Sequence, residues 1–116
     1  MQKLCKYRFH WYELDQPLKV GEVVELTCVK GSEPLEIHSG FTCSESTISV
    51  HCKIVSIHHP ELGYIKNIDT EGLDYCLTLA NGKSLSVEAE EDPGNVYSFP
   101  IKPKAWNFQV LIEITT

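Results

Sequence analysis

Residues 73–88 read LDYCLTLANGKSLSVE, and this stretch decides the fold class. Before Asn81-Gly82, the residues Leu73, Tyr75, Leu77 and Leu79 alternate with Asp74, Cys76 and Thr78. After it, Leu85, Val87 and Ala89 alternate with Ser84, Ser86 and Glu88. A period of two sends successive side chains to opposite faces, which is the signature of a half-buried strand. Asn-Gly between two such runs predicts a hairpin, closed by a type I′ turn whose twist matches its strands.

The same period extends outward from the hairpin. Over 4–13, Cys5, Tyr7, Phe9 and Trp11 alternate with Lys6, Arg8 and His10. Over 22–30, Val24, Leu26 and Cys28 fall opposite Glu25 and Thr27. Over 47–58, Ile48, Val50, Cys52 and Ile54 turn inward, then Val55 and Ile57 break phase, which predicts a bulge or a strand covered on both faces. Over 105–115, Trp106, Phe108, Val110, Ile112 and Ile114 alternate with polar residues. Shorter strands are expected at 35–38, 63–68 and 96–101. Gln16-Pro17, Gly31-Ser32, His59-Pro60 and Asp92-Pro93-Gly94 punctuate the runs. Helical spacing of apolar residues is nowhere sustained beyond about two turns. The expectation is an all-β chain, a single small antiparallel β-barrel of about 6–8 strands spanning residues 1–116. Long edge strands at the termini would leave either a monomer or a β-mediated homodimer.

Composition narrows the classes. In 116 residues there are 10 Lys and Arg against 16 Asp and Glu, a net charge of −6, with 42% apolar residues. That balance is globular and excludes disordered and fibrous classes. No apolar run is long enough for a membrane-spanning helix, and the first residues lack the apolar core of a signal peptide. The five cysteines, Cys5, Cys28, Cys43, Cys52 and Cys76, are odd in number and match no disulfide framework. They are read as reduced thiols of a cytoplasmic protein, with Cys5, Cys28 and Cys52 on apolar faces.

The charge is localised. Residues 61–92 carry Glu61, Asp69, Glu71, Asp74, Glu88, Glu90, Glu91 and Asp92 against Lys66 and Lys83, so the whole excess lies there. A solvated loop face explains this, and so does a docking surface for a basic partner. Glu71, Asp74, Glu88, Glu90, Glu91 and Asp92 are the candidate partner-binding residues. Lys6, Arg8 and Lys53 are the candidate RNA contacts, although the acidic balance argues against a general nucleic-acid binder. The aromatics beside Lys6 and Arg8, namely Tyr7, Phe9 and Trp11, belong to the opposite, apolar face.

No catalytic motif occurs: there is no nucleophile elbow, Ser-x-x-Lys pair or glycine-rich phosphate loop. His51 and Cys52, as strand neighbours, project to opposite faces and cannot form a dyad, and the same holds for His58 and His59. His38 and Cys43 approach the spacing of a metal-ligand pair, but no second pair accompanies them. Ordinary core cysteines and surface histidines are expected, with no cofactor and no metal. The acidic run 88–95 lacks the register of a calcium loop.

One resemblance stands beside this reading. Residues 18–26, LKVGEVVEL, look like the "LKVGDxVEL" segment of the translation-factor β-barrel, the second domain of elongation factor Tu. Residues 50–57, VHCKIVSI, resemble its "xxCKVxSI" strand, and 69–79, DTEGLDYCLTL, its "AxxGDxVxLxL" segment. Order and approximate spacing agree across residues 18–82. The family's glycine-patterned opening strand is replaced here by KYRFHWYELDQP, and no GTPase domain is present. The resemblance implies a barrel used for docking and does not carry over GTP hydrolysis or tRNA binding.

Three functions follow as expectations. The first is a non-catalytic module that binds one protein with a basic surface, in concrete form an immunity or inhibitor protein that neutralises a basic toxin or nucleic-acid enzyme. The second is a translation-factor-like accessory module on RNA or a ribonucleoprotein. The third is a barrel with a concealed ligand or enzyme site.

Overall fold

The computed structural model describes residues 1–8, 17–38, 44–60, 62–71, 74–88 and 107–115. The described residues form strands and no helix: β1 (Gln2–Arg8), β2 (Leu18–Lys19), β3 (Val23–Val29), β4 (Leu35–Glu36), β5 (Thr47–His59), β6 (Gly63–Glu71), β7 (Asp74–Leu79), β8 (Ser84–Glu88) and β9 (Asn107–Ile114). The chain is all-β, as the alternation predicts. The strand expected at 96–101 lies outside the described residues.

The expected purely antiparallel pairing is corrected to a mixed one. The strands make one mixed sheet in the order β4-β1-β9-β5-β6-β7-β8, with β2 paired to β6 and β3 to β5. Among the described residues the sheet does not close into a barrel. β1 and β4 run parallel, Cys5 beside Leu35 and Lys6 beside Glu36. Just past β4 the chain also meets β3, through an antiparallel bridge between Ile37 and Cys28 and through His38 N–H donating to Thr27 O at 2.9 Å. Alternation reports which face a residue takes and carries no information about strand direction, so the parallel pair is invisible to it. β4 reaches β1 through a turn in which Ser32 Oγ donates to Val29 O at 2.8 Å and accepts the Glu36 N–H at 2.8 Å.

The terminal strands are interior rather than at the edges. β1 lies between β4 and β9, and β9 lies between β1 and β5. On its β4 side β1 is paired only at Cys5 and Lys6. β9 is the middle of the wrap, with Phe108, Val110 and Ile112 all fully buried.

β5 organises the rest. Residues Thr47–Lys53 pair with β3, and Ile57–His59 pair with β6. Between these two ladders the elbow after β2 supplies the partners. Gly21 N–H donates to Ile54 O at 2.7 Å, and Ile54 N–H donates to Glu22 O at 3.0 Å. Gly21 makes this turn at φ 91°, a left-handed conformation that L side chains resist. On its other edge β5 pairs with β9, and the register shifts between Ile54 and Ser56. This is the bulge that Val55 and Ile57 announce. It moves the inward phase from Cys52 and Ile54 to Ile57 and His59, all buried.

The 73–88 hairpin forms with Thr78 opposite Ser84, but its turn is not type I′. Gly82 N–H donates to Leu79 O at 2.9 Å, Leu79 N–H donates to Lys83 O at 2.8 Å, and only Gly82 has positive φ, at 90°. Asn81 keeps negative φ, and its Oδ1 accepts the Lys83 N–H at 2.9 Å. The loop is Ala80-Asn81-Gly82, a type I turn extended by one left-handed glycine. The local Asn81 side-chain bond favours this longer loop over the two-residue one.

One core is enclosed by Cys5, Tyr7, Leu18, Leu26, Cys28, Leu35, Ile37, Cys52, Ile54, Ile57, Ile65, Ile68, Leu77, Phe108, Val110 and Ile112. Ile48, in phase with Cys52, sits at the open rim and stays exposed, and Val50 beside it is half-buried.

Candidate functional site

The acidic candidates fall on the three strands at the far end of the sheet. Glu71 ends β6, Asp74 begins β7, and Glu88 ends β8. Their registers coincide, Glu71 opposite Asp74 and Asp74 opposite Glu88, so three acids stand in one row across three strands. Two positions along the ladder, exposed Asp69 stands opposite Cys76. Glu90, Glu91 and Asp92 lie outside the described residues. Like charges directly opposite each other in a ladder destabilise it. Nothing in the charge count foretells this alignment, because it depends on strand register.

The basic candidates are placed differently. Lys6 is exposed on β1, with Glu36 of β4 and Gln109 of β9 as its register neighbours. Lys53 is exposed on β5 between Val23 of β3 and Glu113 of β9. Arg8 ends β1 opposite Asn107. Gln109 and Glu113 are four residues apart on β9, which sets Lys6 and Lys53 roughly 13 Å apart along the strands. Each lysine has a glutamate at a neighbouring register position, so the three basic residues do not merge into one strong positive field.

The His and Cys residues separate by face as the alternation requires. His51 is exposed and its Nε2 lies 3.3 Å from Glu25 Oε2, while Cys52 is fully buried. His58 is half-buried on the outer face and meets the Tyr64 ring edge-on, centroids 4.9 Å apart. His59 takes the opposite face: it is 1% exposed, packs against Phe108 at 5.1 Å, and its Nδ1 accepts the Leu62 N–H at 3.3 Å. An accepting Nδ1 assigns the ring to the neutral form with its proton on Nε2. The expectation of surface histidines fails here, because the bulge in β5 turns His59 to the core. Cys43 lies outside the described residues. Among the described residues no three His, Cys, Asp or Glu side chains assemble into a metal-binding group.

Cys5, Cys28 and Cys52 are free thiols in the core. Burial pushes Cys5 up to about 12, aided by neighbouring Cys28 and Cys52. Burial also pushes Cys28 up to about 11, aided by Cys52, and raises Cys52. Thiols held protonated are poor nucleophiles.

No family model, curated protein or solved structure matches the chain. The site must therefore be read from its own chemistry. Two grooves bear on the idea of a concealed ligand site. One of ≈ 200 Å³ is lined by Pro17, Leu18, Lys19, Glu22, Asn67 and neighbours. Another, of ≈ 180 Å³, lies along Leu4, Lys6, Pro34, Asn107 and Gln109. Both are below the roughly 300 Å³ at which small-molecule pockets begin. No helix of the described residues is long and apolar enough to cross a membrane.

Proposed function

We propose that this chain is a small non-catalytic module that docks one basic protein partner through the acidic end of β6, β7 and β8. The observation that carries this reading is the aligned row Glu71–Asp74–Glu88. An arrangement that costs ladder stability in the free protein becomes favourable when a positively charged surface covers it. Glu90, Glu91 and Asp92 follow β8 directly in sequence and extend the acidic character. In its concrete form the module is an immunity or inhibitor protein, and its target is a basic toxin or nucleic-acid enzyme. Opposite charges steer such pairs together and raise association rates by about 10–10³-fold. The scaffold is an open, barrel-like wrap whose core takes residues from β1, β2, β3, β4, β5, β6, β7 and β9.

The second reading is a translation-factor-like accessory module. It draws on the resemblance of residues 18–82, whose quoted segments occupy β2 with β3, β5, and β6 with β7. The glutamates beside Lys6 and Lys53 favour the first reading over this one.

The test is affinity capture from the native host with the wild-type chain and with Glu88→Lys, Glu90→Lys and Glu91→Lys combined. The wild type is expected to retain a basic protein that the triple variant releases, with retention falling as salt rises. Undiminished capture by a folded triple variant would sink the acidic-surface reading.

A further inference from the structure

The outer face of the sheet, away from the acidic row, carries a second feature. Lys6 of β1, Gln109 of β9, His58 of β5 and Tyr64 of β6 are directly opposite one another in consecutive ladders. Residues in register project to the same face, so the four form one line across four strands. Lys6 and Gln109 are exposed, His58 is half-buried, and Tyr64 is 61% exposed, unusual for so large a ring. His58 props that ring edge-on at 4.9 Å, which leaves a ring face for a ligand to stack upon. Lys66, also exposed, stands two residues further along β6. Three strand spacings of about 4.8 Å put Lys6 roughly 14 Å from Tyr64.

An exposed aromatic, an amide, an imidazole and an ammonium in that order fit one class of ligand. The base stacks on Tyr64, His58 and Gln109 meet polar edges or the sugar, and a phosphate reaches Lys6. In sequence the aromatics Tyr7, Phe9 and Trp11 take the face opposite Lys6 and Arg8, and Tyr12 is in phase with those two basic residues. The fold supplies Tyr64 from β6, by way of β9 and β5. We infer that this line is a stacking platform for a short single strand of nucleic acid, two or three nucleotides long. The inference is independent of the acidic-end reading: Tyr64 and Glu71 sit at opposite ends of β6, about 23 Å apart along the strand. Because Glu36 lies beside Lys6, stacking carries the affinity and the number of phosphate contacts stays small.

The test is fluorescence anisotropy with labelled hexauridylate, against an abasic hexamer of the same charge. The wild type is expected to bind hexauridylate at least about ten-fold tighter than the abasic strand, since each stacked base contributes substantially. Tyr64→Ala should weaken hexauridylate about ten-fold or more, and Tyr64→Phe should restore it. Lys6→Gln should lower the slope of log affinity against log salt by about one. The exposure of Tyr64 lets these variants fold, which thermal melting checks. Equal affinity for the abasic strand, no binding by the wild type, or an unaffected Tyr64→Ala variant would each overturn the inference. So would a Tyr64→Ala variant whose only change is a smaller sedimenting mass, because a second copy of the chain would then be the occupant.

Discussion

Gly21 holds the elbow between β2 and β3 at φ 91°, and a Cβ built there would meet nothing within 4 Å. Its requirement is therefore conformational alone. Gly21→Ala is expected to cost about 1–2 kcal/mol, the penalty of a left-handed backbone for an L residue, as read by urea denaturation. Ile57→Ala, at a fully buried position just past the bulge, should cost more, about 2–5 kcal/mol. The buried thiols make a second prediction. In the folded chain Cys28 stays protonated to about 11 and Cys5 to about 12, whereas unfolded thiols titrate at the ordinary 9.0. Above pH 9 the unfolded chain sheds protons that the folded chain keeps, so rising pH favours unfolding. The thiol contribution should be constant below pH 9 and lost progressively toward pH 11–12, with a slope of up to about 1.4 kcal/mol per pH unit for each thiol. Urea melts of the wild type and of Cys5→Ala with Cys28→Ala would show it as a slope difference. Parallel slopes would refute the buried-thiol account.

Among the elements, the β6–β7–β8 end combines a structural cost with the proposed task. Asp74 has an acid opposite it on both sides, so Asp74→Asn relieves two like-charge pairs. It is expected to stabilise the free protein by about 0.5 kcal/mol at low salt, less at high salt, while weakening capture of the basic partner. A variant that loses stability and keeps its partner would contradict both halves. Much of this level was legible beforehand. The inward phase of Cys5, Tyr7, Leu26, Cys28, Phe108, Val110 and Ile112 follows from alternation, and the break at Val55 located the bulge. Other parts were not legible, for stated reasons. The two residues of β2 are too short to show a period, whereas β4 falls inside the strand expected at 35–38. Asn81-Gly82 indicated a hairpin but not which residues would take positive φ. The acidic row and the Lys6–Tyr64 line exist only once register is set, and register joins residues that sequence keeps apart.

For the molecule as a whole, the decisive arrangement is that β9 lies between β1 and β5, with Gln2 beside Glu113 and Cys52 beside Ile114. Deleting residues 107–116 removes Phe108, Val110 and Ile112 from the centre of the core. The shortened chain is expected to lack a cooperative thermal transition and β-sheet circular dichroism. Retention of a sharp transition would mean that the remaining strands close a core unaided. The same arrangement sets a timetable. During synthesis β1 emerges first and stays without β9, its antiparallel neighbour, until the ribosome has finished almost all the described chain. Until then the edges of β1 and β5 that β9 fills stay open, and chaperone demand should end only when Ile112 and Ile114 are released.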